Sequence, residues 1–288
     1  MQRPEVEPFF HEPSNTFSYV AWDPLTRKGA VLDAVLDYEA ASGRTGHAAA
    51  DRIIGFARAQ GLAIEWVIDT HVHADHLSAA PHVQERLGGK LAIGEHIRAV
   101  QETFGMLFNV EDGFARDGSQ FDHLFVDGEQ YMLGDIAAQA IHTPGHTPAC
   151  MTHVIGDAAF VGDTLFMPDY GTARCDFPGG DAATLYRSIR KIFALPDATR
   201  IFLCHDYKAP GREEFAHETT VAAQRAGNIH VRDGIGEAEF VAMRTARDAT
   251  LKVPQLILPA VQVNMRAGRL PPAESNGLRY LKIPLDAI

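Results

Sequence analysis

Three histidines and one aspartate fall within six consecutive positions, in the segment His71-Val72-His73-Ala74-Asp75-His76. The segment follows an apolar run at 63–70, which predicts a buried strand. Imidazole and carboxylate groups this close in sequence converge only where the backbone turns, as it does in a loop at a strand's carboxyl end. Such donors suit zinc, iron or manganese, and no cysteine lies within the cluster. The segment therefore predicts a metal site of imidazole and carboxylate donors rather than a thiolate-rich zinc-finger site.

Further ligand candidates recur later in the chain in matching surroundings. His146 lies in a Pro-Gly-His-Thr segment, Asp163 in Val-Gly-Asp-Thr and His205 in Leu-Cys-His-Asp. Any one of these histidines, taken alone, is more often an ordinary surface residue. All of the candidates follow strand-like apolar runs, so a shared metal site is the better interpretation.

Composition limits the kinds of molecule that this chain is expected to bind. The 288 residues carry a net charge of −11 and no Lys/Arg-rich run, so we expect no nucleic-acid partner. No apolar stretch approaches the roughly 20 residues of a membrane span, so no membrane association is expected. The N-terminus shows no export or organelle signal, and three widely spaced cysteines do not form a disulfide framework. These features favour a cytoplasmic enzyme acting on a small molecule.

Strand and helix patterns occur in both halves of the chain. Strands are predicted at 16–22 and 29–33 as a hairpin, at 63–70, 91–93 and 200–204, and within a second sheet over 121–162. Helices are predicted at 46–60, 79–88, 95–108, 181–193 and 213–226. No composition break marks a linker, so residues 1–288 are expected to form a single domain, with 236–288 an irregular extension packed on it. This order fits an αββα body with two sheets face to face and helices outside.

The ordered motifs HxHxDH, GHT, GD and a late histidine resemble those of the metallo-β-lactamase superfamily, over about residues 14–210. The resemblance implies the α/β (α+β) class, with an αββα sandwich of two mixed β-sheets flanked by helices, and a site for one or two metals. Its hydrolases use the metal to generate hydroxide. The superfamily also includes lactonases, nucleases and persulfide dioxygenases, so the fold alone does not choose the reaction.

Segments outside the ligand motifs resemble the persulfide dioxygenase branch, whose members oxidise glutathione persulfide to sulfite with Fe(II) and O₂. These segments are 170–177, 184–196, 204–207 and the Asn264-Met265-Arg266 signature in the tail. The resemblance implies an oxidoreductase of sulfide detoxification that returns glutathione. It also implies a homodimer.

The same resemblance assigns roles to individual residues. It implies that a single Fe(II) is held by His71, His146 and Asp163, with coordination positions left open for sulfur and O₂. The residues that would support these ligands through hydrogen bonds are His73, Asp75, His76 and His205. The predicted substrate contacts are Arg174, Tyr207, Arg225 and Asn228.

The residues themselves leave alternatives open at this point. All of the supporting residues are types that a second metal binds. Arg174 also fits a local ion pair with Asp176, and Arg225 and Asn228 also fit a solvated helix end. The rival hypothesis is a glyoxalase II-like hydrolase that uses two metals, zinc among them, on a glutathione thioester. That enzyme carries a helical C-terminal domain, for which residues 211–288 are predicted to be too short and too irregular.

Overall fold

Two six-stranded sheets lie at the centre of the computed structural model, which describes residues 3–287. The strands are β1 Glu5–His11, β2 Thr16–Trp22, β3 Lys28–Leu32, β4 Val35–Glu39, β5 Arg44–Gly46, β6 Ala63–Ile68, β7 Leu77–Ser78, β8 Lys90–Gly94, β9 His123–Phe125, β10 Gln130–Leu133, β11 Ile136–His142, β12 Met151–Ile155, β13 Ala158–Phe160, β14 Arg200–Phe202 and β15 Glu218–Thr220. The helices are α1 Ala48–Ala59, α2 Ala80–Leu87, α3 Ile97–Leu107, α4 Ala182–Phe193, α5 Val221–Gly227, α6 Glu237–Asp248 and α7 Ile257–Asn264.

Both large sheets are mixed. The first has the order β1-β2-β3-β6-β8-β9 and changes from antiparallel to parallel pairing at β3. The second has the order β10-β11-β12-β13-β14-β15 and is antiparallel except for the parallel pair β13 and β14. A small sheet, β5-β4-β7, accompanies them.

Apolar side chains cover both faces of each large sheet, except at β10 and β11, where exposed residues alternate with buried ones. In β2, Phe17 and Tyr19 join the cluster between the two sheets, whereas Val20 and Trp22 join the cluster under the helices. This two-sided burial is expected of a strand that is covered on both faces. Helices α1, α2, α3 and α7 cover the first sheet, and α4, α5 and α6 cover the second. The predicted αββα sandwich is confirmed.

Most of the predicted elements are present. The hairpin at 16–22 and 29–33 is β2 and β3, and the helices predicted up to residue 193 are α1 to α4. The three cysteines are all buried and unpaired, in agreement with the absence of a disulfide framework. No helix within residues 3–287 is long and apolar enough to cross a membrane.

Two predicted elements need correction. The helix expected at 213–226 begins only at Val221, because the β-branched Thr219 and Thr220 extend the second sheet as β15. Thr220 then caps α5 by accepting a hydrogen bond from the Ala223 amide. Strand β9, within the region assigned to the second sheet, pairs instead with β8 in the first.

The prediction of an irregular extension over 236–288 is wrong for α6 and α7. Phe240 of α6 is buried in the core beside α4, and Val261 and Val263 of α7 are buried in the core of the first sheet. Pro259 suggested an irregular path, but it lies in the first turn of α7, where a backbone N–H needs no partner within the helix.

Candidate metal centre

The candidate ligands gather from loops that follow strands of both large sheets. Residues 71–76 follow β6, His146 lies between β11 and β12, Asp163 follows β13, and His205 follows β14. Two glycines let the loops approach closely. A Cβ on Gly162 would lie 2.6 Å from Thr70 Oγ1, and one on Gly145 would lie 2.3 Å from the Leu185 nitrogen. Both glycines have positive φ, +52° and +133°, so a side chain would be strained as well as crowded.

His71, His146 and Asp163 form one group, with ligand atoms within 4.8 Å of one another and all three side chains buried. Asp163 Oδ2 lies 3.8 Å from His71 Nε2 and 3.6 Å from His146 Nε2. These distances are too long for hydrogen bonds. They suit donors that surround one ion at about 2.0–2.2 Å from each.

Each histidine of this group is oriented by its other ring nitrogen. His146 Nδ1–H donates to the Arg174 carbonyl at 2.8 Å. His71 Nδ1–H donates at 3.0 Å to the hydroxyl of Thr70, whose own hydrogen goes to Asp33 Oδ2. Both Nε2 atoms are left with a free lone pair, as metal ligation requires. Burial, reinforced by neighbouring histidines, holds the pKa of His71 well below its ordinary value, so the ring is neutral.

Asp33, directly after β3, holds the loop that carries His71 to His76 through contacts with Thr70 and His73. Sequence reasoning missed this residue. Its carboxylate accepts hydrogen bonds from the Thr70 amide at 2.7 Å and the Thr70 hydroxyl at 3.0 Å, and it contacts His73 Nε2 at 3.0 Å. Burial raises the pKa of Asp33, but the His73 charge and these donors outweigh burial and lower it. The same pairing overcomes burial of His73 and raises its pKa to about 9. Nothing in the local sequence distinguishes Asp33 from a turn aspartate.

A second group of donors adjoins the first and consists of Asp75, His76, His205 and the other oxygen of Asp163. His205 Nε2 lies 3.2 Å from Asp75 Oδ2 and 3.3 Å from Asp163 Oδ1. These three atoms and His76 Nε2 are buried and have no hydrogen-bond partner within residues 3–287. Because such burial is costly, the group requires a cation or a shared proton. Burial lowers the pKa of His205, but the two carboxylates raise it above its ordinary value, so a proton on His205 satisfies them as a second metal would.

The C-terminal tail holds the loop that carries His71 to His76. Asn264, at the end of α7, donates from Nδ2 to the carbonyls of His73 and His76, each at 2.8 Å. Its Oδ1 accepts a hydrogen bond from the Ser78 amide at 2.8 Å. The sequence singled out Asn264 only as part of the Asn264-Met265-Arg266 signature. The structure places its side chain in direct contact with the loop at residues 71–76.

A cavity of about 380 Å³ opens beside Asp163 and His146. Small-molecule sites span about 300–1,000 Å³, so this volume suits a substrate site. One part of its wall is aromatic and the other is basic. The aromatic side chains are Phe166, Tyr170 and Tyr207, and the arginines are Arg174, Arg244 and Arg247. Tyr207 lines this cavity, and its substrate contact stays a prediction. Its ring stacks on His205 with centroids 5.7 Å apart.

Arg174 lines this cavity, but its guanidinium is already occupied. It contacts both carboxylate oxygens of Asp176 at 2.5 Å and donates to the Lys252 carbonyl at 2.7 Å. The local ion pair that the sequence left open is therefore present, and few donors of Arg174 remain for a ligand.

Neither Arg225 nor Asn228 lines this cavity, so the structure lends no support to the prediction that they contact substrate. Arg225 pairs with Asp197 at 3.0 Å and Asp233 at 2.9 Å on the exposed surface. Asn228 is buried and donates to the Gly171 carbonyl at 3.0 Å, which fixes the segment behind the cavity wall.

The chain is similar to known proteins along most of its length. The sequence profile described as the metallo-beta-lactamase superfamily matches residues 12–205. The chain is 57% identical to a probable metallo-hydrolase of Burkholderia pseudomallei, over 98% of this chain and 99% of that protein. It is 48% identical to glyoxylase B2 of Dictyostelium discoideum, over 98% of this chain and 97% of that protein.

More distant relatives include an enzyme named for a different reaction. The chain is 30% identical to the mitochondrial persulfide dioxygenase ETHE1 of Homo sapiens, over 90% of this chain and 87% of that protein. The crystal structure of ETHE1 from Myxococcus xanthus superposes with a TM-score of 0.72 and 28% identity, over 92% of this chain and 100% of that one. With its αββα fold, its buried histidine and aspartate groups and these similarities, the chain belongs to the metallo-β-lactamase superfamily.

Proposed function

We propose that this protein is a persulfide dioxygenase that oxidises glutathione persulfide with O₂ and uses a single Fe(II). The observation that carries the proposal is the group of His71, His146 and Asp163, whose ligand atoms lie within 4.8 Å of one another. Two histidines and one carboxylate with open coordination positions are the ligand set of many non-haem Fe(II) oxygenases. Similarity to the human persulfide dioxygenase and to the Myxococcus xanthus structure supports the same function.

The overall reaction consumes one persulfide, one O₂ and one water, and yields one sulfite, one glutathione and two protons. Bound Fe(II) would supply the redox chemistry and the open positions at which sulfur and O₂ meet. The chain supplies orientation, because Thr70 and the Arg174 carbonyl fix the two ligand histidines. Phe166 and Tyr170 give the cavity an apolar wall that limits water, and the Tyr207 hydroxyl is a donor available to the substrate.

A di-metal thioester hydrolase is the second candidate, and the group of Asp75, His76 and His205 favours it. Together with Asp163, this group could hold a second ion such as zinc beside the first, as in two-metal hydrolases. The names of the Burkholderia and Dictyostelium relatives point the same way. The helices α6 and α7 also weaken the sequence argument that this chain's C-terminal part is too irregular for a hydrolase of the glyoxalase II type.

Metal analysis of purified protein separates these two functions. The dioxygenase is expected to hold about one iron per chain, and His76→Gln is expected to leave that content unchanged because His76 lies outside the proposed ligand set. The hydrolase would hold about two metals per chain, mostly zinc, and the same variant would lose one of them. Two zinc ions per chain with hydrolysis of S-lactoylglutathione would refute the proposed function.

A further inference from the structure

The three arginines on the cavity wall differ in how their charge is compensated. Arg174 is paired with Asp176, as described above. Arg244 is almost fully buried, and its guanidinium contacts Asp248 at 2.6 Å and donates to the Thr172 carbonyl at 3.2 Å. Both charges are therefore neutralised by the protein itself, and both side chains hold the segment 172–176 in place.

Arg247 is the exception on this wall. It lies one turn after Arg244 on the same face of α6, in the helix's last turn. Its side chain is exposed and has no hydrogen bond or ion pair within the part of the chain that the structure describes. The cavity thus offers one uncompensated guanidinium.

Within residues 3–287, no carboxylate on the cavity lining pairs with Arg247. The carboxylates on this lining are Asp75 and Asp163, both beside the metal groups. A carboxylate of a ligand can therefore pair with the Arg247 guanidinium through two parallel hydrogen bonds. A ligand with a reactive sulfur and a carboxylate is therefore held at two points of this cavity, the metal groups and Arg247.

We propose that Arg247 is the anchor for a carboxylate of the peptide part of the persulfide substrate, a role that rests on the proposed function. The anchor selects persulfides whose carrier bears a carboxylate, with the sulfur directed to Asp163 and His146. Arg174, to which the resemblance assigned substrate contact, instead maintains the shape of the wall.

Steady-state oxygen uptake by iron-loaded Arg247→Gln tests this role. Loss of a charge-assisted pair is expected to raise KM for glutathione persulfide by about tenfold or more, with kcat within about twofold of wild type. Wild type is expected to discriminate against the persulfide of glutathione diethyl ester, which lacks free carboxylates, and Arg247→Gln is expected to lose that discrimination. Arg247→Lys should recover part of the KM because it restores the charge.

Arg232→Gln is the matched control, since Arg232 is also exposed, forms no ion pair in the described residues and lies off the cavity wall. An unchanged KM in Arg247→Gln, or an equal rise in Arg232→Gln, would overturn the anchor. The affinity for glutathione itself, measured by calorimetry, tests the anchor independently of the dioxygenase reaction. Wild type that binds glutathione tenfold more tightly than Arg247→Gln but consumes no oxygen would reject the dioxygenase and retain the anchor.

Discussion

Asp33 shows at the residue scale how a proposed metal ligand depends on a group outside the proposed ligand set. Its carboxylate fixes the Thr70 hydroxyl, and that hydroxyl fixes the tautomer of His71. It also holds the ring of His73 through Nε2. The sequence could single out the candidate ligands because HxHxDH, GHT and GD are local patterns, and the structure brings His71, His146 and Asp163 together. It could not single out Asp33, because Asp33 is 37 residues from Thr70 and only the pairing of β3 with β6 brings them together.

Replacing Asp33 with asparagine keeps the side chain's shape and removes its charge. We expect metal affinity to fall by about 10–100-fold, as for other groups that orient metal ligands. Competition with a chelator measures the affinity. Asp37→Asn is the control, because Asp37 also accepts a backbone N–H and contacts a histidine, but away from the metal groups. Equal losses in the two variants would contradict the assigned role.

The pair of Asp33 and His73 also predicts a pH dependence for the metal-free protein. The pKa of His73 is raised to about 9 in the folded chain, above its ordinary value of 6.5. The contribution of this pair to the free energy of unfolding is therefore complete below about pH 6.5, and it is lost as the pH rises toward 9. We expect the free energy of unfolding to decline between pH 6.5 and 8.5, and to decline less in Asp33→Asn. Parallel curves for the two proteins, measured by denaturant titration, would exclude this pairing as the cause.

At the scale of elements, α7 links the C-terminal tail to the metal loop. Asn264→Ala leaves the carbonyls of His73 and His76 and the Ser78 amide without their partner. We expect the variant to retain metal about tenfold less well than wild type, because the loop that carries His71 loses its support. The rate of metal transfer to a chelator measures this retention.

Gln262→Ala is the matched control for that experiment. Gln262 is an amide on the same helix, and its side chain bonds Leu258 and Lys282 rather than the metal loop. Both variants loosen α7, so equal metal loss would assign Asn264 a general structural role. Rapid metal loss in Asn264→Ala alone supports a positioning role.

Sequence patterns predict helices and strands well where the apolar periodicity is uninterrupted. They predict them poorly where a proline suggests a break that the structure does not have. The spacing of Ile53, Ile54 and Ala57 is that of one helix face, and it predicts the helix that the structure has as α1. In α7, Pro259 suggested a break that the first turn of a helix tolerates. The two-residue strand β7 and the edge strand β1 carry too little pattern for prediction, since their pairing depends on tertiary contacts.

At the scale of the whole molecule, the proposed ligands join both sheets, since His71 follows β6 of the first sheet and Asp163 follows β13 of the second. We propose that the sandwich and the C-terminal tail unfold together as a single domain. The homodimer implied by the resemblance stays a prediction. Iron at about 100 times its Kd is expected to stabilise the fold by about 2.7 kcal/mol and raise Tm by several degrees in one transition. Asp163→Ala should abolish that shift. Two separate transitions, or the same shift in the variant, would contradict the assignment.

Oxygen consumption is the direct test of the proposed reaction. Iron-loaded protein is mixed with glutathione persulfide, and O₂ uptake and sulfite release are followed together. We expect sulfite to equal the O₂ consumed in amount, and we expect no O₂ uptake by Asp163→Ala. Absence of O₂ uptake by the iron-loaded wild type, with hydrolysis of S-lactoylglutathione by the zinc-loaded form, would contradict the proposed reaction.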